Sequence, residues 1–221
     1  MTTLYIIRHG QTVANIENRI AGRADFPLTD VGRAQAVCTA NFLKDTPLDA
    51  VLTSPLCRAK ETAEKIAESH GLPLTVVPDL AEVNFGKLEG MLLTEAAPIY
   101  PDVLDAWHNH IADADFPGGE RMREVAVRAE QVVCDILAAY PDKSVCLVTH
   151  GALIKFILAY IKNMPLEELD SVHYVNNASV TTVAYENGKF TVLAENQSEH
   201  MGKLVSGIPN DIFNFLDEKK N

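Results

Sequence analysis

Residues 1–15 read MTTLYIIRHGQTVAN, and the decisive part is the run Leu4-Tyr5-Ile6-Ile7 that ends on Arg8-His9-Gly10. Consecutive β-formers without polar alternation indicate a strand buried on both faces, as in a parallel sheet covered by helices. Such a strand ordinarily stops on Asn, Asp or Gly. This one stops on a cation beside an imidazole, followed by a glycine that lets the backbone bend.

Three further β-rich runs follow, Ala50–Thr53, Leu74–Val77 and Val145–Thr149. Helical patterns separate them, centred on Val31–Lys44, Pro55–His70, Glu120–Tyr140 and Ala152–Lys162. Strands alternating with helices imply βαβ crossovers and a mainly parallel sheet sandwiched between helices, an α/β fold of three layers, α/β/α. Near the end, VTTVAYENGKFTVLAE places two alternating runs around Asn187-Gly188, a strong hairpin signal, so at least one strand is antiparallel. The stretch 86–119, with Pro98, Pro101 and Pro117, is less regular and reads as a lid-like helical excursion over one sheet edge. The charged tail from Asp217 to Asn221 reads as a loose end.

The chain carries 19 Lys and Arg against 30 Asp and Glu, a formal net charge of −11, which disfavours nucleic acid or an anionic membrane surface as a partner. An anionic small molecule suits such a chain only where basic residues gather at one site. No stretch approaches the uncharged span needed to cross a bilayer, and Arg8-His9 interrupts the early apolar run as no signal peptide would. A cytoplasmic location is therefore expected. Cys38, Cys57, Cys134 and Cys146 form no C-x-x-C pair and read as small buried hydrophobes in a reducing compartment.

In parallel α/β sheets, ligands bind beyond the carboxyl ends of the strands, where helix N-termini also gather. Three strands end unusually here: the first in Arg8-His9-Gly10, the second in Ser54-Pro55-Leu56-Cys57-Arg58, the third in His150-Gly151. Serine suits an N-cap and proline the first helical position, which puts Arg58 in the first turn of a helix. Two arginines, two histidines and a helix N-terminus at equivalent ends make an anion pocket, with a phosphoryl group as the usual occupant.

These residues resemble a known family. RHGQTVAN is similar to the signature R-H-G-[EQ]-[ST]-x-x-N of the histidine phosphatase superfamily, the phosphoglycerate mutase-like fold. The likeness continues in the family's order through GRADFPLTDVGRAQA, TSPLCRAKETA, LAEVNFGKLEG, FPGGE and VTHG, and NNASVTTV resembles its closing strand. Ala14 departs from it, where the family often has Trp, as does Arg121, where Ser commonly follows Gly-Gly-Glu. The resemblance implies a single domain over 1–221 that catalyses phosphoryl transfer without metal or cofactor. It makes His9 the nucleophile, Arg8 and Arg58 the clamps on the non-bridging oxygens, and His150 a donor to another oxygen. Asn15, the Ala21-Gly22 backbone and Gly151 would complete the cradle, and Glu82 would serve as general acid and then base. Physical chemistry supports the nucleophile, because an attacking imidazole must be neutral and two adjacent guanidinium groups disfavour its protonation.

Rival chemistries fit poorly. A cysteine phosphatase needs an arginine six positions after its cysteine, and those positions hold Lys44, Ala63, Tyr140 and Ala152. Asp113-Ala114-Asp115 follows no apolar strand, and His108 and His110, two apart, do not share a helix face. A mutase of the same family must hold a bisphosphate in two orientations. Its cofactor-dependent members carry Arg directly after the catalytic Glu and an Arg-Arg pair, whereas Val83 stands here and no Arg-Arg occurs. Arg19, Arg23, Arg121 and Arg123 are the candidates for a second phosphate contact. A catalytically silent module that binds a phosphorylated ligand would have lost His9 or Glu82. The reading is thus a metal-independent phosphomonoesterase acting on a small phosphorylated metabolite, with a mutase as the alternative. Phe85, Trp107 and Phe116 read as packing of the excursion before they read as a ring-binding surface.

Overall fold

In the computed structural model, which describes residues 1–207, the run that ends on Arg8 lies in the middle of the sheet. β1 (Thr2–Arg8) pairs in parallel with β4 (Ser144–Thr149) and antiparallel with β5 (Val180–Glu186). β2 (Ala50–Thr53) lies beyond β4, and β3 (Leu74–Val76) beyond β2, both parallel, while β6 (Lys189–Gln197) pairs antiparallel with β5 at the opposite edge. The order is β3-β2-β4-β1-β5-β6. Asn187 and Gly188 make the β5–β6 turn with φ of 50° and 76°, the left-handed pair whose twist matches the flanking strands.

Side chains alternate across the strands, and two helical layers receive them. Leu4, Ile6, Leu52 and Leu147 point into a core shared with α6 (Met122–Ala139) and α7 (Gly151–Ile161). Ile7, Val51, Cys146 and Val148 point the other way, toward α2 (Asp30–Leu43) and α3 (Cys57–His70). The expected three-layer α/β/α class, mainly parallel with an antiparallel addition, is what these pairings show. α1 (Val13–Glu17) follows the turn after His9. The 86–119 stretch contains 3-10 turns at Gly86–Leu88 and Ile111–Asp113 and two helices, α4 (Leu93–Ala96) and α5 (Pro101–Asn109). Phe85, Trp107 and Phe116 pack edge to face there, with centroids 4.8–5.3 Å apart.

Two local expectations need correction. Ser54 and Pro55 do not cap α3 and begin it. Leu56 is the N-cap residue, without a side-chain bond, and the Cys57 amide donates to Asp25 Oδ1 at 2.8 Å. The Ser54 hydroxyl instead pairs with His150 Nε2 at 2.6 Å and accepts from the Leu56 amide at 3.3 Å. Arg58 nonetheless falls in the first turn, as expected. The cysteines are all free, but only Cys146 is buried. Cys134 is exposed on α6, where its thiol meets the Tyr160 hydroxyl. The tail from Asp217 lies outside the described residues.

Candidate active site

The strand register sets three ends level. Arg8 lies opposite Thr149, and Thr53 opposite Val148. The ladder then continues one step, with the His9 amide donating to Thr149 O and the Ser54 amide to Val148 O. His9, Ser54 and His150 therefore emerge at one height, and Arg58 reaches the same place from the first turn of α3. Arg8, His9, Arg58, Glu82 and His150 are all buried. The cavity beside them is lined by Arg8, His9, Arg58, Glu82 and Gly151, and by Asn15, Ala21 and Gly22 from the loop around α1.

His9 has a defined tautomer. Its Nδ1 lies 2.7 Å from the Gly10 carbonyl oxygen, which can only accept, so Nδ1 carries the proton and Nε2 keeps its lone pair. Burial, then Arg58, then Arg8 hold the imidazole well below its ordinary basicity. Buried, neutral and with Nε2 free of a proton, it is a competent nucleophile.

The two arginines differ. Arg58 donates through Nε to His150 Nδ1 at 3.2 Å, through Nη1 to Ala24 O at 2.9 Å and through Nη2 to Gly22 O at 2.6 Å. Arg8 donates through Nη1 to Val175 O at 2.7 Å, while its buried Nε has no partner among the described residues. An unpaired buried guanidinium N–H is costly in isolation, and an anion is a partner suited to it. Burial lowers the Arg8 pKa to about 10, against the pull of Glu82, so the group stays charged throughout the neutral range.

Glu82 meets the start of α7. Its Oε1 accepts from the Val83 and Leu153 amides, and its Oε2 from the Ala152 amide, at 2.9–3.1 Å. His150 is the backbone N-cap of α7 and makes no side-chain cap, so Glu82 satisfies amides that would otherwise be orphaned. His150 lies beside His9, ring centroids 5.1 Å apart. The expectation that it donates to a phosphoryl oxygen meets a ring with both nitrogens engaged: Nδ1 with Arg58, and Nε2 with Ser54 Oγ at 2.6 Å.

Asn15 spends its Oδ1 on the Thr12 amide and on Asn177 Nδ2, which leaves its own Nδ2 for a ligand. Arg19 lines the cavity, tied to Glu17 and to Gly90 O. Arg23 pairs with Glu120, Arg123 with Glu167 out in solvent, and Arg121 is exposed. Of the four candidate second-phosphate contacts, Arg19 is thus the one brought to the cavity. Phe85, Trp107 and Phe116 both pack the excursion and line the cavity. Among the described residues no group of three or more His, Cys, Asp and Glu is arranged to hold a metal ion.

A supporting shell went unread in the sequence. Thr62 Oγ1 accepts from the Gly10 amide, Gln35 Oε1 from the Gln11 amide, and Asn177 Nδ2 donates to His9 O. The turn after His9 also lies backbone to backbone on α2: a Cβ at Gly10 would come 2.5 Å from Gly32 O, and one at Gly32 closer still to Gln11 O. Gly32, Gln35 and Asn177 all fall inside the motif stretches quoted above, which was the available signal.

Comparison with known proteins agrees with the geometry. The family described as "Histidine phosphatase superfamily (branch 1)" matches residues 4–198. A Bacillus subtilis protein named uncharacterized phosphatase PhoE is 33% identical over 205 residues, covering 93% of this chain and 100% of the relative. The solved structure of Bacillus stearothermophilus YhfR superposes with a TM-score of 0.88 at 34% identity, over 91% of this chain and 100% of its own. A Gloeobacter violaceus protein named 2,3-bisphosphoglycerate-dependent phosphoglycerate mutase 2 is 32% identical over 181 residues, covering 78% of this chain and 81% of the mutase.

Proposed function

The chain belongs to the histidine phosphatase superfamily, and from that premise we propose that it is a phosphomonoesterase working through a phosphohistidine at His9. The observation that carries the reading is the His9 tautomer, with Nδ1–H fixed by Gly10 O and Nε2 left as a lone pair on a ring kept neutral by burial and by the Arg58 and Arg8 charges. In the first step Nε2 attacks phosphorus in line, the N–P bond forms and the ester P–O bond breaks. Glu82 gives a proton to the departing alkoxide. Water then attacks the phosphohistidine, Glu82 takes its proton, the N–P bond breaks and inorganic phosphate leaves. Arg8 and Arg58 collect the charge that spreads over the equatorial oxygens, with the N-terminal end of α7 adding to the field. Loss of one such donor costs about 3 kcal/mol of transition-state stabilisation. No step requires a metal or cofactor.

The substrate is a small phosphomonoester whose alcohol portion meets the excursion, to which we assign the role of lid over residues 86–119 within a single domain. Phosphatase is favoured over mutase because the cavity beyond Arg8 and Arg58 offers one further cation among the described residues, Arg19, with the aromatic trio beside it. A bisphosphate held in two orientations needs more positive charge than that. No helix among the described residues is long and apolar enough to cross a membrane. The four free thiols and the charge of −11 support action in the cytoplasm on a dissolved metabolite rather than on nucleic acid or lipid.

A panel of phosphomonoesters assayed with chelator present tests the reading. Phosphate release from one or more esters is expected. Included 3-phosphoglycerate with its bisphosphate primer gives the opposing outcome: isomerisation outpacing phosphate release would make the protein a mutase.

A further inference from the structure

Ser54 has no part in the scheme above, yet it is fully buried just past the end of β2, its amide fixed to Val148 O in the ladder. Its Oγ lies 2.6 Å from His150 Nε2 and 3.3 Å from the Leu56 amide. The protons along this line can be assigned by elimination. A guanidinium only donates, so His150 Nδ1, 3.2 Å from Arg58 Nε, must accept. Burial together with Arg58, His9 and Arg8 keeps His150 neutral. Its one proton is then on Nε2 and is donated to Ser54 Oγ.

We propose that Ser54 is a positioning residue for phosphoryl transfer: its hydroxyl fixes the Nε2–H tautomer of His150, which in turn accepts from Arg58 and holds that guanidinium aimed at the phosphoryl site. The other tautomer would set an imidazole N–H against Arg58 Nε–H, donor facing donor. Arg58 would then keep only the Gly22 and Ala24 carbonyl oxygens, both on the loop between α1 and α2 rather than on the sheet. His150 thus ties Arg58 to two strand ends at once, β4 through its own backbone and β2 through Ser54. The assignment rests on the proposed phosphatase reading for its consequence in turnover, but not for the tautomer itself.

The test joins a spectroscopic and a kinetic measurement. Nitrogen-15 NMR of histidine-labelled resting protein, assigned with His150→Asn, should show His150 protonated at Nε2 and unprotonated at Nδ1 near neutral pH. In Ser54→Ala that single tautomer should give way to a mixture. With an ester the wild type hydrolyses, kcat and kcat/KM should fall together by tenfold or more, and Ser54→Thr should recover most of the loss. An Nδ1–H tautomer in the wild-type protein overturns the proposal even if Ser54→Ala fails to fold. So does a folded Ser54→Ala that keeps kcat within twofold. If no ester is hydrolysed at all, the phosphatase reading falls, while the NMR result still decides the tautomer.

Discussion

The rings of His9 and His150 stand 5.1 Å apart and tilted by 58°, both buried and both within reach of the Arg8 and Arg58 charges. Two imidazoles in that position are folded as neutral groups, with basicity pushed well below the unfolded value near 6.5. Below that pH the unfolded chain binds protons that the folded site refuses. Stability therefore holds above about pH 6.5 and falls as pH drops below it, by up to ~2.7 kcal/mol per pH unit while both sites resist. Urea midpoints measured from pH 7 to pH 5 should decline along this slope, and His9→Gln should remove about half of it. A flat profile would mean that the rings protonate in place.

Replacing the proposed nucleophile should end turnover. His9→Ala is expected to lower kcat by a factor on the order of 10⁴–10⁶, the range for removing a central covalent catalyst. Acid-labile label from a phosphorus-32 ester should appear on wild-type protein in a rapid quench and be absent from His9→Ala. Label on another side chain would refute the nucleophile.

Glu82→Gln separates the proposed acid–base task of that carboxylate from its capping of α7. As acid it matters most where the leaving alcohol is a poor one, so alkyl phosphates should slow by about 10²–10⁴ while aryl phosphates lose tenfold or less. As the cap of α7 it accepts three amides, and a glutamine must turn its NH₂ toward at least one of them. That mismatch should cost about 1–3 kcal/mol of stability. Equal rate losses for both ester classes would leave only the capping role.

Lys155 provides an unrelated check on the core of α7. It is buried, with Nζ 4.6 Å from the Tyr174 ring centroid, and burial pushes its pKa down to about 8 against the pull of Asp170. The folded chain gives up this proton near pH 8 and the unfolded chain near 10.4. Wild-type stability should therefore gain from this group as pH rises through that window. Lys155→Met should lack the gain and be the more stable protein at pH 7, by about 1–3 kcal/mol, since a packed apolar side chain replaces a costly buried charge. Lower stability of the variant at pH 7 would show that the ring contact outweighs desolvation.

The strand ends were legible because their signals are local: an apolar run, then a polar pair, then glycine. Ala50–Thr53 and the Asn187-Gly188 turn were fixed by the same kind of signal. The interior of the excursion was not, since helices as short as Leu93–Ala96 owe their existence to packing against the core rather than to their own sequence. The cap of α3 was misplaced because its acceptor, Asp25, stands 32 residues upstream. The roles of Ser54 and Asn177 were hidden for the same reason: their partners are 96 and 168 positions away in the chain. Motif membership marked these residues without saying what they touch. Only the register of β1 against β4, and of β4 against β2, brings them together.

Gly10 and Gly32 meet main chain to main chain, and this has an evolutionary corollary. The address of the His9 imidazole is written in the course of the polypeptide itself, with no side chain interposed that could be exchanged for another size. On the proposed function, substrate preference is free to change in the Phe85–Phe116 region, which lines the cavity, without disturbing that address. A library randomised at positions 10 and 32 should return glycine at both, whatever ester is used for selection.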